Sequence, residues 1–216
     1  MHHSEDSMKI AKEVISKYLQ TNSTHAYGKM CETKHKLTIH IRSGDTVRGG
    51  YSKRGDFQPG SVHWKYAPVP TSFYGEVLKK QLEKSSCTSI TRMLVVSQDV
   101  KNPTTEFFLK LQNIGHDITF RIGKKIAGDL HALTCSSEVA IAYGSFWNAF
   151  ALRDSTRLHI FTDSCIQRNK FFPSSSIFYT FFEGEGKEYI KGTKIWKNTA
   201  YQRHLVDKYY KITKCS

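Results

Sequence analysis

Five short apolar runs rich in β-branched residues, at 37–41, 93–97, 118–122, 139–142 and 158–161, alternate along this chain with stretches of helical spacing. Parallel strands need a long crossover between them, and a helix supplies it, so the alternation argues for one sheet wrapped by helices. The expected fold class is α/β, a doubly wound parallel sheet of Rossmann-like type. Over 70–83 the residues Phe73, Val77, Leu78 and Leu82 share a helical face. Asn102-Pro103 is a cap and first-turn signal for the helix carrying Phe107, Phe108 and Leu111, which Gly115 ends. Shorter helices are expected over 129–134 and 145–152. A further one is expected over 7–20, where Ile10, Val14, Ile15, Tyr18 and Leu19 fall together and Ser4 or Ser7 caps the start.

The chain of 216 residues suits one domain with appended segments. Residues 1–36 read as an N-terminal helix and linker, 37–165 as the sheet domain, and 166–216 as a C-terminal extension packing on it. That extension is aromatic-rich and interrupted by glycine, with a helical stretch near 201–210. The segment 42–67 is glycine-rich with little periodicity, which marks a functional or a disordered loop.

Lysine and arginine exceed the acids to give a net charge of +13, which favours anionic partners without choosing among them. The lysines are scattered, and no nucleic-acid module is recognisable, so a solvated basic surface is favoured over a nucleic-acid groove. The five cysteines, Cys31, Cys87, Cys135, Cys165 and Cys215, are widely spaced with no Cys-x-x-Cys pair. They signal neither a zinc site nor a disulfide framework; buried free thiols, or one or two disulfides in a secreted protein, both remain open. The start, Met1 to Asp6, lacks the apolar core of a signal peptide, and no apolar run approaches the ~20 residues of a membrane span. Asn22-Ser23-Thr24 is a glycosylation sequon, relevant only in a secretory pathway.

In a parallel sheet the residues just after each strand converge on one edge. Here they are Arg42 and Asp45, then Ser97 and Asp99, then Gly123, Lys124 and Lys125, then Tyr143, Gly144 and Ser145. Arg42 offers a planar fork of donors suited to a diphosphate, and Gly144 with Ser145 opens a helix whose amides favour phosphate. Asp129 is expected to open another helix, where a carboxylate suits the donors of a guanine edge. The structural alternatives are that Arg42 pairs with Asp45 to brace the turn and that Asp129 caps its helix. His40, inside a strand, reads by itself as a core histidine. No Gly-x-Gly-x-x-Gly and no Gly-x-x-x-x-Gly-Lys-Ser/Thr loop is present, and no Asp-x-Asp pair offers to hold a metal.

The run His40-Ile41-Arg42-Ser43-Gly44-Asp45 resembles the His-x-Arg-x-Gly-Asp motif of the α-1,2-, α-1,6- and protein O-fucosyltransferase group. Asp129-Leu130-His131-Ala132-Leu133, followed by Ala142 to Trp147, resembles the later motif of that group, and Val95 to Asp99 its strand-end Ser/Thr-Asp segment. The likeness spans about residues 37 to 161. It implies the C-terminal, nucleotide-sugar-binding domain of a glycosyltransferase B fold, with GDP-fucose as donor substrate and no other cofactor. Fucose would pass to a glycan or protein hydroxyl with inversion and without a metal. By the same resemblance His40, Arg42 and Gly44 belong to the donor site, Arg42 binding the β-phosphate and supporting the departing GDP. Asp129 would contact guanine; Gly144, Ser145 and Phe146 would line the diphosphate; Ser97 and Asp99 would wall the nucleoside. A Golgi or ER lumen location follows if the chain belongs to a longer secretory protein.

Two departures from the group stand out. Only 36 residues precede Leu37, where the group has an acceptor-binding domain, and the glutamate base after the arginine motif has no counterpart. Asp45 and Asp56 are the candidate bases. Tyr51, Phe57, Trp64 and Tyr66 in the loop either form an acceptor platform or pack the loop on the sheet. The alternative functions are a catalytically inactive nucleotide-sugar module and a polyanion binder for heparin or nucleic acid.

Overall fold

The computed structural model describes residues 37–43, 50–51, 57–58, 62–63, 68–84, 92–141, 156–162, 165 and 175–215. In chain order the elements are β1 (Leu37–Ile41), β2 (Gly50–Tyr51), β3 (Phe57–Gln58), β4 (Val62–His63), α1 (Thr71–Lys84), β5 (Met93–Ser97), α2 (Pro103–Asn113) and β6 (Ile118–Ile122). They continue as α3 (Ile126–Thr134), β7 (Glu138–Ile141), β8 (Arg157–Phe161), β9 (Ile177–Phe181), α4 (Lys187–Thr193), β10 (Ile195–Trp196), α5 (Ala200–Asp207) and β11 (Ile212–Lys214).

The β-branched run of β1 is buried on both sides, as a central strand of a parallel sheet must be. One sheet holds seven strands in the order β11-β9-β8-β7-β1-β5-β6. Every pairing is parallel except that of β11, which runs antiparallel to β9. The chain steps outward from β1 to β5 and β6, returns through α3, and then steps the other way through β7, β8 and β9. Strand order therefore reverses at β1. Leu37, Ile39 and Ile41 point into one core with Phe73, Tyr74 and Val77 of α1, Phe108 of α2, and Tyr189 and Leu205 of α4 and α5. Leu94, Val96, Val139, Ile141, Leu158 and Ile160 form the other core with Ala132 and Leu133 of α3. Helices thus cover both faces, and the doubly wound α/β arrangement expected from the alternation is what the chain adopts.

Local signals explain where the helices begin and end. The Asn102 side chain accepts the Thr104 N–H at 2.9 Å, Pro103 occupies the first turn, and Gly115 follows with φ +98°. Thr199 and Gln202 close a capping box on α5. The start of α3 differs from expectation: it begins at Ile126, and the Lys125 carbonyl accepts the N–H groups of Gly128 and Asp129. Asp129 is therefore neither the opening residue nor the cap, because the helix starts three residues earlier, at Ile126, without a side-chain cap.

Three further features are seen in the structure. The segment 42–67 contains short ladders: β2 pairs with β3, and β4 pairs with β10 from the C-terminal part of the chain. Such non-local pairing leaves no periodic trace in the loop itself. The sheet also takes in β9 and β11, from the stretch set apart as an extension, and the helix near 201–210 is α5. Finally, Cys165 and Cys215 form a disulfide across 50 residues, tying the start of the β8–β9 connection to the end of β11. Cys135 is disulfide-bonded as well, so these three sulfurs are not free thiols. The expected helices at 7–20 and 145–152 lie outside the described residues. Among the described residues no helix is long and apolar enough to cross a membrane, and no cluster of three metal-binding side chains occurs.

At the amino end of the sheet lies a buried polar chain. The fully buried His159 ring contacts Glu138 through Nε2 at 2.8 Å and the Tyr179 hydroxyl through Nδ1 at 2.9 Å. Gln81 and Arg157 also donate to the Glu138 carboxylate. Burial, then the Glu76 and Glu138 carboxylates, pushes the Tyr179 phenol up, so it stays protonated and able to donate. Replacing the ring removes a partner from two buried groups, so His159→Phe is expected to destabilise by about 1–3 kcal/mol. The more exposed Arg157→Ala is expected to cost less than about 1 kcal/mol. Urea unfolding of the two variants checks this; equal losses would refute the central role of the histidine.

Candidate functional site at the carboxyl edge of β1

Arg42 and Ser43 are the first residues after β1, outside the point where strand order reverses. In open α/β sheets a crevice forms there, because the connections on its two sides leave in opposite directions. The chain ends of β1 and β5 are tied together at this place. Ile41 lies opposite Ser97 in register. The nearly inaccessible Asn102 donates through Nδ2 to the Arg42 carbonyl at 2.7 Å while its Oδ1 caps α2. Ser43 Oγ donates to Asp99 Oδ1 at 2.5 Å, and the Lys101 N–H reaches the same oxygen at 2.9 Å. Ser97 Oγ donates to the Asp99 carbonyl at 2.8 Å. One asparagine thus sets both the start of a helix and the backbone position of the arginine.

His40 precedes this turn. The Tyr74 hydroxyl donates to its carbonyl at 3.1 Å, which anchors α1 on β1. Burial first, and the Arg42 guanidinium second, lower the His40 pKa to about 4, so the ring is neutral near pH 7. A neutral ring leaves Arg42 as the local positive charge.

A second group sits on β6 and α3. Gly123 turns the chain with φ +63°, and its N–H donates to the Ser97 carbonyl at 3.1 Å. That turn presents Lys124 and Lys125, both exposed, at the same edge. Arg121 Nε donates to Asp129 Oδ1 at 2.7 Å. Gly128 makes this possible: a Cβ there would stand 2.0 Å from Arg121 Nη2. Burial raises the Asp129 pKa, opposed by the hydrogen bond and charge of Arg121.

Of the residues picked from sequence, His40, Arg42, Ser97 and Asp99 come together around the ends of β1 and β5. Asp129 is held in the neighbouring group with Arg121. Gly44, Asp45, Asp56, Gly144, Ser145 and Phe146 lie outside the described residues, as do Tyr143, Trp64 and Tyr66. Sequence reading saw Asn102 only as a cap and passed over Ser43, Arg121 and Gly128. The residue pattern carries a signal for the cap alone, since the other roles arise from contacts across the sheet.

What fold and edge define is an α/β protein with a mostly parallel, doubly wound sheet, whose carboxyl edge carries Arg42, Lys101, Lys124 and Lys125 beside Asp99 and Asp129. No protein-family model, curated protein or solved structure matches the chain.

Two outcomes are expected. Asn102→Ala should lose the cap and leave the Arg42 carbonyl without its donor, lowering stability by about 2 kcal/mol. Asn102→Asp keeps the cap but faces that carbonyl with an acceptor, so thermal melting should place it between wild type and alanine; equality with wild type would show that the Arg42 contact is idle. For His40, the unfolded chain binds a proton near pH 6.5 and the folded one near pH 4. Stability from this group is complete above about 6.5 and is lost as pH falls toward 4, by at most about 1.4 kcal/mol per pH unit. His40→Phe should flatten that slope in denaturant titrations at pH 4 to 7, and an unchanged slope would refute it.

Proposed function

We propose that this chain is a GDP-fucose-dependent glycosyltransferase domain that passes fucose to a glycan or protein hydroxyl with inversion. The observation that supports it is the position of Arg42, directly after the central strand, where order reverses and its backbone is fixed by Asn102. In this reading the fold is the donor-side domain of a glycosyltransferase B enzyme. The Arg42 guanidinium pairs with the β-phosphate and stabilises the charge that develops on GDP as the glycosidic bond breaks. Lys101, Lys124 and Lys125 add to the positive potential of the edge, so protein cations take the role that a metal plays on diphosphates elsewhere. Asp129, held by the Arg121 guanidinium, contacts guanine, while Ser97 and Asp99 wall the nucleoside. Gly144, Ser145 and Phe146 complete the diphosphate cradle, and Asp45 or Asp56 removes the acceptor proton. The disulfides suit an oxidising compartment, in keeping with a Golgi or ER lumen.

The charge of +13 favours, as the second reading, a module that binds a polyanion or a nucleotide sugar without catalysis. Slow hydrolysis of GDP-fucose that Arg42→Ala abolishes would count against a nucleotide-sugar binder without catalysis, and calorimetric titration with GDP separates the transferase from the polyanion reading. Binding at about 1 μM, roughly −8 kcal/mol, is expected, abolished by Arg42→Ala, weakened by Asp129→Asn and absent with ADP. If heparin binds instead, with an affinity that falls steeply with salt and ignores Arg42→Ala, the polyanion reading holds and the transferase reading fails.

A further inference from the structure

The sheet ends in two outer strands of different character. β11 is three residues long, carries Lys214 and is followed by the Cys165–Cys215 bond. Short length and an edge lysine are common ways of keeping a strand from pairing with another chain. β6, on the other side, has five residues with neither lysine nor proline, and among the described residues nothing pairs with its outer side. Its one charged side chain, Arg121, is turned to Asp129 of α3 and is 18% exposed, so it does not guard the edge.

Hydrogen bonds define which groups on that edge are open. The Met93 N–H donates to the Asp117 carbonyl at 2.9 Å and the Gly123 N–H to the Ser97 carbonyl at 3.1 Å, so the odd-numbered residues turn their backbone groups toward β5. Backbone groups alternate along a strand, which leaves Ile118, Phe120 and Ile122 facing outward. Ile118 is already served: its N–H donates to the His116 carbonyl at 2.9 Å, and its carbonyl accepts Gln112 Nε2 at 2.6 Å. Phe120 and Ile122 remain, each with an N–H and a C=O. Apolar side chains flank them. Ile114 at the end of α2, Ile126 at the start of α3 and Val100 just after β5 are 74%, 60% and 58% exposed, the most exposed aliphatic side chains among the described residues. Ile114 lies before β6 and Ile126 after it, at equal distance along the chain.

This pattern is complementary to itself. Two β6 strands set side by side and antiparallel, related by a two-fold axis at Arg121, place Phe120 of each copy opposite Ile122 of the other. The open N–H and C=O groups of one copy then meet those of the other with none left over. An aromatic side chain stands opposite a β-branched one twice, a favoured cross-strand pair. The same axis brings the Ile114 end of one copy to the Ile126 end of the other, with Asp117 level with Lys125. Each Arg121 at the axis keeps its own Asp129 at 2.7 Å, so no unpaired like charges meet there. A foreign peptide would use the backbone groups alone; a second copy also matches the apolar ends and the charges.

We propose that β6 is a dimerisation edge, on which a second copy of this chain pairs antiparallel and continues the sheet across a two-fold axis. The proposal does not rest on the donor reading. In the dimer the two Arg42 edges open at opposite ends of the joined sheet, so neither covers the other.

The test is sedimentation equilibrium of the full chain over a concentration series, with amide hydrogen exchange followed residue by residue. The mass is expected to rise from one chain to two with a midpoint of roughly 10 μM, in keeping with a small interface. The Phe120 and Ile122 amides are expected to exchange more slowly as concentration rises, while that of Thr119, turned to β5, does not change. Ile122→Pro removes an outward N–H and leaves the β5 ladder intact, and Ile114→Lys points a cation at Lys125 of the second copy. Each is expected to weaken association about tenfold or more. Where Ile122→Pro lowers the melting temperature, the exposed Ile114→Lys carries the comparison. A single-chain mass at every concentration up to about 1 mM, assembly beyond two chains, or dimers that Ile114→Lys leaves intact would overturn the proposal.

Discussion

Burial of β1 between two parallel neighbours is the constraint on which the rest of the structure depends. Its backbone groups are paired on both sides, to β5 and to β7, and its Leu37, Ile39 and Ile41 side chains enter the core beneath α1 and α2. A strand so placed cannot slip by one residue without turning Leu37, Ile39 and Ile41 out of their core. Fixing β1 fixes the sheet edge where it ends, and hence where Arg42 emerges. The direction reversal at β1 then follows from connectivity: once β5 and β6 fill one side, the chain must cross back through α3 to build the other. The Asn102 contact completes the chain of dependence. It joins the strand end to the start of α2, so the arginine is positioned by a packed helix instead of by a free loop.

The parts of the fold readable from sequence are those whose signals are local. Five apolar runs, the Asn102-Pro103 start and the Gly115 stop lie within a few residues of the elements they define, and each appears within one or two residues of its expected place. β9 is different. Its residues Ile177 to Phe181 include Phe178, Tyr179 and Phe181, and without a helical stretch before it the run looked like part of an aromatic tail; only pairing with β8 and β11 makes it a strand. The ladder between β4 and β10 joins residues far apart in the chain, two on each side, too few to leave a period. At the site the same division holds. Arg42 and Asp99 follow strands and Ser97 ends one, and they were found for that reason. Ser43 and Arg121 act through partners that no spacing rule connects, and Gly128 matters because a side chain arrives over it from β6.

Electrostatics divides the surface in a way that composition hides. An excess of +13, spread over scattered lysines, describes a generally anion-attracting molecule. At the carboxyl edge that excess is kept by Arg42, Lys101, Lys124 and Lys125, and the lowered pKa of His40 means that the arginine does not share its turn with a second cation. Along α1, where a cavity of about 620 Å³ lies between α2 and the connection from α5 to β11, it is partly offset by Glu76 and Asp207. Salt screens exposed charges from one another over about 10 Å at moderate ionic strength, so the two surfaces of one basic protein are electrostatically separate.

The two surfaces are also joined mechanically. From the Arg42 carbonyl the contacts run to Asn102, through its cap to Thr104, from the Thr104 hydroxyl to that of Thr71 at 3.0 Å, and from Thr71 to Asp207. Thr104 is fully buried, Asn102 and Thr71 nearly so, and buried hydrogen bonds in series reinforce one another. Arg203 of α5 adds a strut, donating to the Lys101 carbonyl at 2.7 Å. The amino ends of α1 and α2 and the carboxyl end of α5 therefore form one shelf, with the arginine at one end and the wall of the α1 cavity at the other. A change in the position of either end has to be accommodated by breaking one of these hydrogen bonds, so the shelf holds both surfaces in a constant relation.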